Sequence, residues 1–474
     1  MVPQRGNAAR SAESKAAPRD GRQEGRGVSF IERQSESKAP VVSATTTQGA
    51  KTHGGKWMWV EASVWNERML AALENGVKGG KWFSLIDKVY RPQTLRAAWR
   101  KVAKNAGAAG VDRQSVEQFL AGEEVYLREL EEALKRGSYK PLAVRRVEIC
   151  KGAGKMRPLG IPAVKDRIVQ TAIKFVIEPI FEREFLEMSY GFRPQLGCKE
   201  ALREVERLLK EGYTHVVDAD ITSYFDSIEW GRLIERISER ISDGRLLELI
   251  EAFLHQDIVQ GMERWTPTGG TPQGAVISPL LANIYLHPLD CQIKQRGYRM
   301  VRYADDFVVL CRSAEQAQAA LAEVKAWVEA NGLGLNAEKT HVGDCRQEGQ
   351  GFEFLGYRFE AGRRWVRRKS LKALRERIRI KTKRTQGDSV ATIIAELNPM
   401  LRGWFNYFKH AHPMTFSGAD GFTRRRLRAI LRKQEKRPGL GKCLDDHKRW
   451  PKAFFADMGL FTMTEAHALA SQSR

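Results

Sequence analysis

Val301-Arg302-Tyr303-Ala304-Asp305-Asp306-Phe307-Val308-Val309-Leu310 sets two adjacent carboxylates between two apolar runs. The runs read as short strands meeting at a tight turn within Arg299 to Cys311. Side by side at the end of buried strands, Asp305 and Asp306 repel each other unless a cation neutralises them, and hard divalent ions take oxygen ligands. An Asp pair alone would be better explained as a polar turn, where Asp is favoured. A second acidic strand end tips that balance. In His215-Val-Val-Asp218-Ala-Asp220-Ile221 the alternation places Asp218 and Asp220 on one face, so Asp220 can supply a third carboxylate. Three carboxylates from two neighbouring strands can hold two Mg²⁺ ions about 4 Å apart, a clamp for in-line phosphoryl transfer.

Outward from this centre, helical spacing predicts helices over 61–74, 115–136, 165–186, 198–210 and 314–331, and two more within 230–256. Residues 143–150 alternate only loosely as a strand. Two strands are expected after Gly351, and an almost wholly helical region from Arg367, with a kink at Pro399. Strands interleaved with helices, then helices alone, imply an α+β body followed by an α-helical domain.

The chain has 474 residues and a net charge of +22. Residues 361–474 carry 27 basic and 9 acidic side chains, whereas 57–360 are close to neutral. Such concentration points to a polyanionic partner. Residues 1–56 lack periodicity and read as a disordered basic tail. No apolar run reaches the roughly 18 residues of a membrane span, and the N-terminus has no apolar signal core, so a cytoplasmic protein with no membrane partner is expected. Six scattered cysteines with no CxxC pair argue against a zinc module or a disulfide framework.

Further blocks make the reading specific. Asn105-Ala-Gly-Ala-Ala-Gly110-Val-Asp112, Arg157-Pro-Leu-Gly-Ile-Pro162, Tyr190-Gly-Phe-Arg193-Pro, Gly270-Thr-Pro-Gln273-Gly274, Ser278-Pro-Leu-Leu-Ala-Asn283 and Phe354-Leu355-Gly356 occur in this order. With Tyr303-Ala-Asp305-Asp306 and Asp220, they resemble the blocks of bacterial group II intron-encoded reverse transcriptases, or maturases, over about residues 80 to 460. The resemblance implies a right-hand polymerase with fingers and palm over 57–365 and a helical thumb/maturase domain over 366–474. It implies RNA-directed DNA synthesis with dNTPs and two Mg²⁺ ions, coupled to splicing and mobility of the intron. Its partners would be group II intron RNA, a DNA primer and target DNA.

Residue by residue, the resemblance makes Asp220, Asp305 and Asp306 catalytic, with the Ile221 carbonyl an extra metal ligand and Asp218 and Asp226 structural. Lys155 and Arg157 would pair with the nucleotide triphosphate, although a solvated basic loop would also account for Lys155. Phe225 stands where a bulky residue would exclude a ribose 2′-hydroxyl; a core aromatic would look the same. Gln273 and Gly274 would pack against nucleotide and template, and Lys339 is a further nucleotide-site candidate. Phe354, Leu355 and Gly356 resemble the primer grip, or a buried strand and turn. Arg424, Arg425, Arg428 and Arg432 fall within one helical arc and are the candidates for holding RNA. The pattern stops soon after Gly459-Leu-Phe461, so the form without an HNH endonuclease module is expected. Two rivals are an RNA-binding splicing factor with a vestigial polymerase and a metal-dependent nuclease.

Overall fold

The computed structural model describes residues 55–77, 79–150, 156–385, 387–441 and 443–472. Residues 1–54 of the expected tail, and Lys155, lie outside the described residues. Gly55–Trp57 forms a 3-10 turn, and the buried Trp57 donates its indole N–H to Glu74 Oε1 at 2.9 Å.

In chain order the strands are β1 (Val144–Cys150), β2 (Met156–Ile161), β3 (His215–Asp220), β4 (Ile258–Gln260), β5 (Glu263–Trp265), β6 (Arg299–Tyr303), β7 (Asp306–Cys311), β8 (His341–Asp344), β9 (Phe352–Phe354), β10 (Tyr357–Glu360) and β11 (Arg363–Val366). They form three sheets, ordered β2-β1-β4-β5, β6-β7-β3-β8 and β11-β10-β9. The expected hairpin is β6 and β7, and its inner neighbour is the expected acidic strand, β3. Three strands rather than two follow Gly351, because Ala361 and Gly362, both at positive φ, turn the chain back once more.

Helices come largely where apolar periodicity puts them, with clear end signals. Ser313 caps helix Ala314–Ala330, its Oγ accepting from the Gln316 amide at 3.2 Å, and Ser389 caps helix Val390–Phe408, which runs through Pro399. The single helix expected over 115–136 is instead two, Val116–Ala121 and Glu123–Arg136. They break at Gly122, where a Cβ would lie 2.7 Å from the Tyr126 ring.

Two hydrophobic cores hold this arrangement. The first joins helix Val164–Glu182, whose buried positions run round much of its circumference, to helices Ser278–Gln295 and Ala314–Ala330 and to the Val217, Ala219 and Phe307 side of the β3/β7 pair. The second joins the opposite side, Val216, Val308 and Leu310, to helix Cys198–Lys210, the β9–β11 sheet and the C-terminal helices. It therefore crosses residue 366 and ties the basic helical region to the acidic strands. No helix among the described residues is long and apolar enough to cross a membrane.

Candidate active site

Antiparallel pairing of β3 with β7 sets Asp220 opposite Asp306, and pairing of β6 with β7 sets Tyr303 opposite Asp306. Ala304 and Asp305 are thus a two-residue hairpin turn, with Ala304 in the left-handed region at φ +60°. Register alone brings Asp220, Asp305 and Asp306 to one strand end. Gly191 lies against this turn so closely that a Cβ would overlap the backbone of Ala304, which explains the glycine of the Tyr190-Gly-Phe-Arg193 block.

Beneath the turn sits a network that sequence reasoning missed. The Arg302 guanidinium, fully buried, donates to both carboxylate oxygens of Asp290, to Asn283 Oδ1 at 3.0 Å and to the Ala304 carbonyl at 3.0 Å. Asn283 in turn donates to the Gly191 carbonyl at 2.8 Å. Burial works against the guanidinium charge, but the Asp290 carboxylate outweighs it and holds Arg302 above its ordinary value. The available signal was an arginine within a buried strand, which requires a buried partner. Arg193 is likewise structural, bound to Glu182 at 2.7 Å and to the carbonyls of Leu186 and Ser189.

The three carboxyls stand in unequal environments. Burial, then repulsion from Asp218, Asp305 and Asp220, pushes the Asp306 carboxyl up to about 7, with Arg367 opposing. Burial also raises Asp305, with Asp220 adding to the shift and Arg157 opposing it. Burial raises Asp218 too, and that residue accepts from the Glu353 amide. Asp220 is the more open carboxylate and is held at 2.7 Å by Lys339 Nζ. The 334–340 loop is stitched beside it, the Asn336 amide donating to the Asp220 carbonyl at 2.8 Å and the Thr222 amide to Gly334. Among the described residues no group of three or more His, Cys, Asp or Glu side chains is arranged to hold a metal ion; Lys339 supplies the cation at Asp220. An exposed ion pair of this kind is worth about 0–1 kcal/mol, so it opposes a divalent ion weakly. In donor type, all oxygen and mutually repelling, the three carboxyls suit such an ion, while their side chains as placed are not gathered into one ligand group.

Facing these carboxyls, the β2 edge meets the 270–274 loop. The Arg157 Nε donates to Gln273 Oε1 at 3.1 Å, and Gln273 Nε2 donates to Asp226 Oδ2 at 3.4 Å. Gly274, at φ +110°, rests on the Gly160 carbonyl where a Cβ would overlap it, and the Gly160 amide donates to Gln273 O at 2.6 Å. Phe225 is half-buried against the first core, and its carbonyl accepts from the Thr271 amide at 2.7 Å. Both earlier readings of Phe225, core aromatic and wall of the site, are compatible with that position. Ile221 is buried and bridged to Leu335. Arg146 lies close by: its charge acts on Asp226, and it sits over the Trp265 ring at 5.6 Å.

With this geometry in view, comparison with known proteins is decisive. Residues 149–359 match the family model "Reverse transcriptase (RNA-dependent DNA polymerase)", and residues 371–450 match "Group II intron, maturase-specific domain". Protein YkfC of Escherichia coli (strain K12) is 35% identical over 324 residues, 58% of this chain and 82% of YkfC. The chain belongs to the group II intron reverse transcriptase family. The group II intron-encoded protein LtrA of Lactococcus lactis subsp. cremoris is 38% identical over 203 residues, covering 42% of this chain and 33% of LtrA. This chain therefore spans only about a third of LtrA. A chain of a partial Cas6-RT-Cas1–Cas2 complex is 26% identical over 54% of this chain and 43% of its own length, with a TM-score of 0.33.

In this reverse transcriptase, Phe354 is buried in the second core, while Leu355 and Gly356 form the β9–β10 turn at φ +46° and +86°. The Leu355 carbonyl accepts from Tyr407 Oη at 2.8 Å, and the Gly356 carbonyl from the Arg367 amide at 3.0 Å. A bulky residue at positive φ is strained, and these bonds hold it.

The four arginines expected to meet RNA are not equivalent. Arg428 is 4% exposed, donates to the Trp450 carbonyl at 3.0 Å and lies over Phe455. Arg432 binds Asp446 at 2.6 Å and the Pro438 carbonyl. Both are engaged by the returning 438–455 segment, which covers that part of the arc. Arg424 and Arg425 are half-buried, and Arg425 lies over Phe422 at 5.1 Å.

Proposed function

We propose that this chain extends a DNA primer on an RNA template, and that its basic helical region binds group II intron RNA and assists splicing. The observation that carries the polymerase reading is the register of Asp220 against Asp306 with Asp305 in the adjoining turn. Asp220, Asp305 and Asp306, with the Ile221 carbonyl, would hold two Mg²⁺ ions. When bound, these would activate the primer 3′-hydroxyl and neutralise charge on the departing pyrophosphate. Arg157 would present its guanidinium fork to the incoming triphosphate, and Gln273, tied between Arg157 and Asp226, would fix the floor on which the nucleotide lies. Lys339 would leave Asp220 and offer its ammonium to the phosphates. Phe225 would limit room at the sugar. Leu355 and Gly356, bound through their carbonyls, would steady the primer end.

Primer extension of oligo(dT) on poly(rA) with Mg²⁺ and dTTP, run beside a single-strand cleavage assay, tests this reading. Extension without cleavage is expected. Cleavage without extension would instead assign the carboxylates to hydrolysis.

A further inference from the structure

An open cavity of about 370 Å³ lies between helix Arg368–Lys381 and helix Met414–Gln434, lined by Arg375, Arg379, Gly418, Gly421, Phe422 and Arg425. Spacing builds it from both sides. Arg375 and Arg379 are one turn apart on the first helix, while Gly418, Gly421, Phe422 and Arg425 follow a single stripe of the second. Three guanidinium groups surround the Phe422 ring, Arg425 at 5.1 Å, Arg379 at 5.5 Å and Arg375 at 5.9 Å. Arg379 is paired with Glu376. Among the described residues, Arg375 and Arg425 have no ion pair or side-chain hydrogen bond. Nearby, Arg384 Nε is buried without a hydrogen-bond partner, and Arg426 is taken up by Thr382. Burial, then the charges of Arg379, Arg425 and Arg384, hold the Arg426 guanidinium below its ordinary value. The ring face offsets part of this repulsion and Glu376 offsets part of the charge of Arg379, and an anion held between Arg375 and Arg425 would offset the rest.

The shape narrows the ligand. A Cβ at Gly418 or Gly421 would meet nothing within 4 Å, so these glycines leave the cavity wall bare in the middle of a helix, where Gly is a poor choice for stability. The volume is that of a small-ligand pocket. A duplex backbone is convex and meets surfaces, whereas an unpaired nucleotide can be splayed out into a recess and stacked on an aromatic ring or guanidinium plane. We infer that this cavity receives one unpaired nucleotide of a structured RNA, its phosphate held by the forks of Arg375 and Arg425 and its base against the Phe422 and Arg379 side. This deepens, and rests on, the reading of the helical region as RNA-binding.

The test uses the full chain and two fluorescein-labelled RNA hairpins, identical except for one bulged adenosine. The expected result is about tenfold tighter binding of the bulged hairpin, the scale of one base stack. That preference should vanish in Arg375→Gln/Arg425→Gln and in Gly421→Met, which fills the recess at constant charge and raises helix propensity. It should survive Lys369→Gln/Lys372→Gln, which removes two charges from the same helix outside the cavity; circular dichroism melts check folding. Equal binding of the two hairpins by the wild-type chain, or a preference that persists in Gly421→Met, overturns the inference. No affinity for either hairpin would remove the RNA-binding reading with it. Primer extension by the wild-type chain, measured separately, shows whether the polymerase reading stands independently of either result.

Discussion

Replacing Asp290 with Asn removes the counter-charge of Arg302 while keeping the shape of its site. Both side chains are wholly buried, and breaking a buried pair from one side costs about 3–5 kcal/mol, because the remaining ion is left uncompensated. That is a large part of the roughly 5–15 kcal/mol that holds a domain together, so urea unfolding should show a much lower midpoint. Replacing both partners, Arg302→Leu with Asp290→Leu, removes the buried charge altogether. Pairs exchanged for apolar residues are often neutral in stability, offset here by about 1–3 kcal/mol for each group left without its donor, the Ala304 carbonyl and Asn283 Oδ1. Together these two groups cost about 2–6 kcal/mol, comparable with the loss in the single variant, so stability should stay below that of the wild type. Rate should fall as well. Without the Arg302 donor, the Ala304–Asp305 turn loses its anchor, and a displacement of about 1 Å at a reacting group costs on the order of 10²-fold. The assay is single-turnover primer extension beside urea titration of wild type, single and double variants. A double variant that extends at the wild-type rate would refute the positioning role, and an Asp290→Asn variant losing under about 1 kcal/mol would refute the buried-charge reasoning.

The Asp306 carboxyl, pushed up to about 7, keeps a proton in the folded metal-free chain that the unfolded chain releases near pH 4. Its contribution to stability is thus present below about pH 4 and lost as pH rises towards 7; Asp306→Asn should flatten that decline in thermal melts. The same proton competes with metal, so extension should weaken as pH falls below about 7 and recover with added Mg²⁺. Phe225→Ala should raise the ratio of rNTP to dNTP incorporation, measured in paired single-nucleotide extensions; an unchanged ratio in an active variant returns Phe225 to the core. Gly274→Ala, at φ +110° and against the Gly160 carbonyl, should lower both the melting temperature and the extension rate, and wild-type values for both would show that the close approach is dispensable.

Local patterning made much of the acidic centre legible. Strand alternation showed that Asp218 and Asp220 share a face, and a two-residue turn between apolar strands put Asp305 beside Asp306. The Arg302–Asp290 pair was less visible, because the partners come from a strand and from helix Ser278–Gln295, and only the fold brings them together. Short strands such as β4, β5 and β8 carry too few residues for a period to emerge, and take their form from the partners they pair with. Helical periodicity groups Arg424, Arg425, Arg428 and Arg432 within one arc, but a period says nothing about what returns to cover that side. Here Trp450, Phe455 and Asp446 do so. Conversely, no sequence pattern marks Phe422 as a site, because Arg375 and Arg379 reach its ring from a different helix.

The most direct test of the central claim is primer extension on poly(rA)/oligo(dT) by the wild-type chain and by Asp220→Ala and Asp305→Ala, with RNA affinity measured on the same preparations. If these carboxylates hold the metal ions, as proposed, their loss should reduce extension by orders of magnitude while RNA affinity stays near the wild-type value, since neither change touches the basic helices. Folded variants that extend the primer at near wild-type rates in saturating Mg²⁺ would contradict the assignment of this strand end as the polymerase centre.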